Sequence, residues 1–198
     1  MIEIKRASEL GEDAKQKISE VFVDAFGKDL TFFSKDRKKL AKAFEHMFID
    51  DVFYCAFVDG EIAGITACIT GERSSVRLNN KELRKHLGFY KGILASIFLK
   101  SEFEKPPFEV GEGIASVEFV ATTSKYRGKG VATALMNSIF SFPQYSQYVI
   151  EVADTNTNAA KLYEKLGYKE IKRMKPKHSK KSGINYLVYM KYVKSSGN

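Results

Sequence analysis

The sequence from Val117 to Leu135 reads VEFVATTSKYRGKGVATAL, and this stretch decides the fold. Its start, Val117–Thr122, is apolar or β-branched apart from one glutamate, which is typical of a strand inside a sheet. Two glycines in Arg127–Gly130 (the glycine turn) interrupt that pattern, and the apolar residues after them predict a helix over about 130–140. The stretch therefore indicates a buried strand, a glycine turn and a helix in direct succession.

The glycine turn has the properties of an anion site. Backbone N–H groups at a helix start lack partners within the helix and carry partial positive charge. Gly128 and Gly130 have no Cβ, so a phosphate can approach the backbone closely, and Arg127 and Lys129 add two charges at the rim. The turn lacks the Gly-Lys-Ser/Thr end of a P-loop and the third glycine of a dinucleotide fingerprint. The alternative is a tight strand-to-helix turn with solvated basic residues.

A second stretch, Val152–Tyr168, reads VADTNTNAAKLYEKLGY and spans the end of the next predicted strand and the helix after it. Asn156 stands between that strand and that helix, where its side chain can cap the helix or contact a ligand. Tyr163 lies beside the apolar face of the helix, so its ring can be buried while its hydroxyl reaches a cleft. The alternatives are a plain helix cap for Asn156 and a core aromatic with a solvated hydroxyl for Tyr163.

Together, the two stretches resemble the GNAT superfamily of acyl-CoA N-acyltransferases. RGKGVA matches the signature Q/R-x-x-G-x-G/A, and the second stretch matches N-x-x-A-x-x-L-Y-E-K-x-G-F with Tyr168 in place of Phe. Before the turn, the family often has Val-x-Pro where this chain has Thr122-Thr123-Ser124. The resemblance implies that amides of the turn bind the pyrophosphate of coenzyme A. It assigns cofactor contacts to Arg127, Gly128, Lys129, Gly130, Ala132, Thr133, Asn156 and Tyr163.

The resemblance also implies a reaction. An acetyl group passes directly from acetyl-CoA to a primary amine in a ternary complex, and the protein supplies position and charge stabilisation. In the family, the strand before the turn splays from its neighbour to admit the pantetheine arm. Phe119, Val120 and Ala121 are therefore candidates for backbone contacts to the thioester. Tyr163 is the candidate acid that protonates the coenzyme A thiolate as it leaves.

The acceptor amine must be neutral to attack, which requires a general base or an ordered water. Glu118 is the candidate base, because its strand neighbours Val117 and Phe119 are apolar and a carboxyl near apolar walls has a raised pKa. The alternative for Glu118 is a surface or salt-bridged glutamate. Glu112, at the mouth of the strand, is a second candidate base.

The remaining segments predict a mixed sheet. Strands are predicted at 2–6, 52–58, 61–70, 114–122, 148–152, 168–174 and 184–192, and helices at 12–26, 34–47, 81–90, 93–103, 130–140 and 158–166. Ser34 is the predicted N-cap of the second helix. This order favours an α/β (α+β) fold with a GNAT-like mixed, centrally splayed sheet flanked by helices, in one acyltransferase domain over residues 1–198.

A helical insertion at 72–112 separates the third and fourth predicted strands, and it sits where the acceptor would approach. Its aromatic residues Phe89, Tyr90 and Phe98 could line a substrate wall, although such residues more often belong to a core. A dimerisation face and a packed lid are equally open, so a homodimer is one option.

The composition of the chain limits the classes of function that it can have. The chain has 198 residues, 44% of them hydrophobic. No stretch is long and apolar enough to span a bilayer, and the N-terminus has no apolar signal region, so we expect a cytoplasmic protein with no membrane partner. Cys55 and Cys68 lie in predicted strands and are expected to be buried apolar residues. No residue pattern indicates a metal site.

The formal net charge of +8 admits competing functions. The basic run Lys172–Lys181, which contains His178, is predicted to be a solvated hairpin loop; its functional alternative is to steer an acidic partner or to contact phosphate. The hypothesis of a nucleic-acid-binding protein would rest on net charge alone, because the basic residues form no recognition element. We therefore expect no nucleic-acid partner. The main competitor to an N-acetyltransferase is a domain of the same fold that binds acyl-CoA without turnover. The acceptor, a small-molecule or peptide amine, stays open.

Overall fold

The computed structural model of the chain describes residues 1–27, 30–70, 73–103, 111–176 and 183–195, with backbone alone at 101–103. Its strands are β1 (Ile2–Arg6), β2 (Phe53–Val58), β3 (Glu61–Ile69), β4 (Ile114–Thr122), β5 (Gln147–Ala153), β6 (Lys169–Met174) and β7 (Leu187–Val193). Its α-helices are α1 (Ala14–Phe26), α2 (Arg37–Phe44), α3 (Asn80–Leu87), α4 (Phe89–Phe103), α5 (Val131–Phe140) and α6 (Thr157–Lys165). Every predicted strand and helix is present, with shifted ends.

The strands form one sheet in the order β1-β2-β3-β4-β5-β7-β6. Neighbours are antiparallel except β4 and β5, which run parallel because α5 forms the crossover between them. The predicted mixed sheet flanked by helices, with a helical insertion between the third and fourth strands, is confirmed.

β4 and β5 separate halfway along their length. They pair from Ile114↔Gln147 to Val117↔Ile150, and the ladder does not extend beyond that pair. On its other side β4 stays paired with β3 through a bulge, because Ile65 faces Ala121 whereas Ala67 faces Glu118. One extra residue of β4 is accommodated there, which bends a strand and increases its twist. The predicted central splay is thus confirmed, and it lies between β4 and β5.

Core residues form separate clusters on the two faces of the sheet. Over one face, α1–α4 pack on β2 and β3, with Phe22 at the centre of ring contacts to Phe44 and Phe48 at 5.9 and 5.5 Å. Over the other face, α5 packs on β1–β4, with Val131 and Leu135 against Ala56 and Ala63. On the same face, α5 and α6 also contribute to a cluster with β4, β5 and β7 around Tyr148 and Tyr163. The bulged part of β4 contributes to both clusters, since Phe119 packs with the first and Val120 with the second.

The insertion between β3 and β4 is a tight pair of helices. Gly88 joins α3 to α4 at φ +84°, and a Cβ on Gly92 would lie 2.6 Å from the Arg84 backbone, so glycine lets the helices approach. Ala95 and Leu99 of α4 are fully buried. By contrast, the predicted aromatics are exposed, Phe89 by 60%, Tyr90 by 81% and Phe98 by 39%. These three aromatics therefore lie outside the buried core, because α4 buries a different face.

Two local predictions need correction. The N-cap of α2 is Asp36, whose carboxylate accepts from the Lys38 and Lys39 N–H groups at 2.9 and 3.1 Å. Ser34 instead accepts from the N–H of Asp36, because the charged oxygen of Asp36 is the stronger acceptor for the helix start.

The prediction that the basic run Lys172–Lys181 is a loop is wrong for its first residues. Lys172–Met174 are exposed residues of β6, because this segment pairs with β7. His178 and the rest of 177–181 lie outside the described residues.

Candidate active site

The glycine turn leads from β4 into α5 without a side-chain cap. Gly128 and Gly130 have φ of +73° and +80°, which glycine adopts readily and other residues rarely do. A Cβ at either position would meet nothing within 4 Å, so the space above the backbone is open. Among the described residues, no side chain accepts from the N–H groups at the start of α5. The predicted anion site therefore has exposed donors and open space.

The residues before the turn are fixed to α1. Asp24 accepts from the Ser124 N–H at 2.5 Å and from its hydroxyl at 3.2 Å, and it pairs with Arg37 at 2.9 Å. Burial raises the pKa of Asp24, but these hydrogen bonds and the charges of Arg37 and Arg127 outweigh burial and lower it. The departure from Val-x-Pro now has a structural reason, because a proline in place of Ser124 could not donate this N–H.

A second anchor ties the same loop to β3. Thr123 donates its backbone N–H to the Ala63 carbonyl at 2.9 Å. The Tyr126 hydroxyl donates to the Glu61 carboxylate at 2.8 Å, and Lys125 pairs with the same carboxylate. The turn is therefore held in place by protein contacts alone, which lowers the entropic cost of binding a ligand.

The bulge in β4 lies at the vertex of the split. Phe119 has φ +53°, a conformation that is strained for a residue with a side chain. Its ring is held by Phe22 and Phe53, with centroids 5.9 and 5.7 Å away, and these contacts stabilise the bulge. Ala121 is buried and paired with Ile65. The three predicted backbone residues, 119–121, thus lie where β4 leaves β5.

Glu118 lies one residue past the last β4–β5 pair, on the face opposite Val117. Its carboxylate accepts from the Ser75 hydroxyl at 2.5 Å and from the Ser116 hydroxyl at 3.4 Å. Burial raises the pKa of Glu118, the two serine hydrogen bonds lower it, and the nearby charge of Glu151 raises it further, so that the result is a raised pKa. The alternative of a surface or salt-bridged glutamate is not what the structure shows. Glu112, the second candidate, is exposed before the start of β4.

Tyr163 is a core aromatic, 5% exposed, with its ring 5.8 Å from that of Tyr168. Burial raises its pKa, so the hydroxyl is protonated at neutral pH, as a proton donor must be. The Tyr168 hydroxyl is buried and has no hydrogen-bond partner among the described residues.

α6 is closed at both ends. The Asn156 side chain accepts from the Ala159 N–H at 3.3 Å. Asn156 is therefore a helix cap, which is the alternative that the sequence offered to a ligand contact. At the other end, Gly167 has φ +93°, its N–H donates to the Glu164 carbonyl and the Tyr168 N–H donates to the Tyr163 carbonyl. This pair of bonds is the Schellman motif, which ends the helix at a glycine with positive φ.

Comparison with known proteins decides what this arrangement is. The model of the acetyltransferase (GNAT) family matches residues 17–168, which is most of the chain. The chain belongs to the GNAT acetyltransferase family. The matched residues include the glycine turn, the split between β4 and β5, and the second stretch, Val152–Tyr168. The resemblance to the family that the sequence indicates is therefore confirmed.

Solved structures share the fold of this GNAT chain over nearly its full length. PH1933 from Pyrococcus horikoshii OT3 has a TM-score of 0.61 at 15% identity, covering 98% of this chain and 99% of that one. The ribosomal-protein-S18-alanine N-acetyltransferase from Escherichia coli has a TM-score of 0.59 at 15% identity, and the match covers 100% of this chain and 97% of that one. An N-acetyltransferase from Staphylococcus aureus Mu50 has a TM-score of 0.57 at 17% identity, and the match covers 97% of this chain and 100% of that one. No curated protein matches the sequence.

Two polar residues beside the split, Glu151 and Tyr189, were not among the sequence predictions for this GNAT domain. Glu151 of β5, like Glu118 of β4, follows directly after the last pair between these two strands, Val117↔Ile150. Val117 and Ile150 belong to the core cluster around Tyr148 and Tyr163. Tyr189 is the β7 partner of Glu151. Burial and, to a smaller extent, the hydrogen bond to Glu151 raise the pKa of Tyr189. One signal was available, since Glu151 is a single charge within an apolar strand, as Glu118 is.

Other features of this GNAT domain are structural. Cys55 and Cys68 are free and buried, as predicted, and burial raises the pKa of each thiol to about 12. Over the described ranges there is no group of three or more His, Cys, Asp and Glu residues placed to hold a metal ion. Within the same ranges no helix has the length and apolar character to cross a bilayer.

Proposed function

We propose that this protein is an N-acetyltransferase that moves an acetyl group from acetyl-CoA to a primary amine by direct attack in a ternary complex. One observation carries the proposal: the split between β4 and β5 opens beside an uncapped helix start. The split suits a narrow chain and the helix start suits an anion. Acetyl-CoA has both, a pantetheine arm and a pyrophosphate.

The binding roles follow from position. The pyrophosphate would lie on the glycine turn and the first residues of α5, Ala132 and Thr133, and the Asn156 side chain would be a further contact of the cofactor. The pantetheine arm would enter the split along the bulge, where backbone N–H groups of 119–121 can hydrogen-bond the thioester oxygen. Such donors stabilise the negative charge that develops on that oxygen in the transition state.

The chemical step needs one base and one acid. The amine nitrogen attacks the thioester carbon, the C–N bond forms, the C–S bond breaks, and the proton leaves the amine for Glu118. The coenzyme A thiolate takes a proton from Tyr163. A raised pKa suits Glu118 to base work near neutral pH, and a raised pKa keeps Tyr163 protonated until it is needed.

The acceptor class is a small-molecule or peptide amine. Glu118 and Glu151 together place negative charge at the vertex of the split, which favours approach of a protonated amine before it loses its proton.

Isothermal titration with acetyl-CoA tests cofactor binding first. We expect binding in the micromolar range that is typical of substrates. No heat of binding at high micromolar concentration would overturn the proposal. A thiol-release assay with amines, polyamines and peptide N-termini then tests turnover, and binding without release for every acceptor would instead identify an acyl-CoA sensor.

The Tyr163→Phe substitution tests the acid. It keeps the buried ring and removes only the hydroxyl, so acetyl-CoA affinity should stay unchanged while turnover falls by about 10²-fold. Phe140→Leu, a conservative change in the same core cluster, is the matched control for packing. Equal turnover in wild type and Tyr163→Phe would remove Tyr163 from the mechanism.

A further inference from the structure

An open surface cavity of about 770 Å³ lies between the first turn of α1, the connection from α2 to β2 and the start of α3, and the lining residues Arg77 and Lys81 are exposed to solvent. Lys15 of α1 lines this cavity, whereas Asp24 of the same helix bonds Ser124 beside the glycine turn. The helix rises about 1.5 Å per residue, so these two positions are roughly 14 Å apart along α1. The cavity is therefore separate from the acetyl-CoA site proposed above.

The cavity is lined by four cationic side chains and one carboxylate. The cations are Lys15, Arg77, Lys81 and Arg84, and the carboxylate is Asp50. Among the described residues, the side chains of Lys15, Arg77 and Lys81 have no ion-pair or hydrogen-bond partner. Other cations of this surface do have partners, such as Lys42 with Glu45 at 2.8 Å. The cavity thus carries excess positive charge that the protein leaves unneutralised.

The backbone around the cavity is fixed before any ligand binds. The α2–β2 connection pairs with the segment before α3 through the Phe48↔Val76 bridge, and the Arg77 N–H donates to the Met47 carbonyl at 2.7 Å. His46 Nε2 accepts from the Asn79 N–H at 3.0 Å. Burial lowers the pKa of His46, so it braces the wall as a neutral ring and adds no charge.

We propose that this cavity binds a small molecule that carries a dianionic phosphate group. Arginine presents a planar fork of N–H donors that matches phosphate oxygens, and two lysines add charge from other sides of the cavity. The volume lies within the range of small-molecule sites, and the half-buried Ile49 and Leu78 give the rest of the ligand an apolar wall. Four cations against one carboxylate match a doubly charged anion better than a single carboxylate.

The probe for this site is inorganic phosphate, titrated into the full chain and followed by backbone amide shifts in NMR and by calorimetry. We expect shifts at the amides of 77–84. Three double variants remove two charges each: R77Q/K81Q in the cavity, R127Q/K129Q in the glycine turn, and K38Q/K39Q on the exposed surface of α2. Thermal unfolding of each variant confirms that it is folded.

At the amides of 77–84, R77Q/K81Q should weaken phosphate binding about tenfold or more, and the other two variants should change the binding measured at these amides by less than about twofold. Phosphate shifts confined to the glycine turn would overturn the proposal, as would an equal loss in K38Q/K39Q or no binding at about 20 mM phosphate. Tight binding of a short single-stranded RNA that is lost in R77Q/K81Q would replace the small molecule by a nucleic acid. None of these outcomes depends on acetyl transfer.

Discussion

In the glycine turn, all four residues are exposed, both glycines have positive φ, and no described side chain caps the helix that follows. In the α6 stretch, Asn156–Tyr168, the helix is capped at its start, closed at its end and anchored by a buried Tyr163. The two halves of one family signature are thus built in different ways. The turn leaves donors available for a ligand, whereas the α6 stretch uses Asn156, Tyr163 and Gly167 to build the fold.

The Tyr163→Ala substitution should give the largest effect within this comparison. It removes a buried aromatic side chain, which costs about 3–5 kcal/mol of unfolding free energy. Urea denaturation measures the loss, and Lys161→Ala, an exposed change on the same helix, should stay within about 0.5 kcal/mol. A loss as small as that of the control would mean that α6 is not part of the core.

The Gly130→Ala substitution separates the backbone role of the turn from its ligand role. Gly60, in the β2–β3 turn, has the same φ of +80° and the same open space, so Gly60→Ala is a matched control. Both variants should lose about 1–2 kcal/mol of stability, because alanine is strained at positive φ. In calorimetry, acetyl-CoA affinity should fall about tenfold in Gly130→Ala alone; an equal affinity in both variants would contradict binding at the turn.

The Asn156→Ala substitution asks whether the α6 stretch also serves the ligand. Loss of the cap should cost about 1 kcal/mol of unfolding free energy. Asn79→Ala removes the same kind of cap from α3, where the Asn79 side chain accepts from the Lys81 N–H. If Asn156 contacts acetyl-CoA, affinity falls in Asn156→Ala and not in Asn79→Ala; identical affinities would leave Asn156 as a cap only.

The Tyr168→Phe substitution restores the residue that is usual in the family. The buried Tyr168 hydroxyl has no partner among the described residues, so its removal should stabilise the fold by about 1 kcal/mol. Urea denaturation checks the sign. Tyr192→Phe, in ring contact with Tyr168 at 5.8 Å, tests whether any loss of a tyrosine hydroxyl in this cluster has the same effect.

The Glu118→Gln substitution should have the smallest effect on stability, and that effect depends on pH. Since folding raises the pKa of Glu118 above 4.5, its contribution to stability is present below pH 4.5 and is lost as pH rises through the folded pKa. The amide cannot ionise, so the variant should gain stability relative to wild type with rising pH. Urea midpoints at several pH values measure this gain, and a constant difference would contradict a raised pKa.

The sequence predicted the elements and the signature because both depend on local patterns. The contacts that shape the site are not local: Ser75 donates to Glu118 across 43 positions and Ser124 to Asp24 across 100. No periodicity encodes such pairs. The exposure of α4 has the same origin, since an apolar helix alone does not show which face its neighbours cover. At α2, two good cap residues stand two positions apart, and only the backbone path selects Asp36.

The buried cysteines have a practical consequence for measuring this enzyme. A reagent that detects free coenzyme A reacts with thiolates, and at neutral pH Cys55 and Cys68 are protonated and shielded from solvent. Colour released during turnover therefore reports the product and not the protein. Once the chain unfolds, both thiols become reactive, so the same reagent also counts unfolded molecules in the sample.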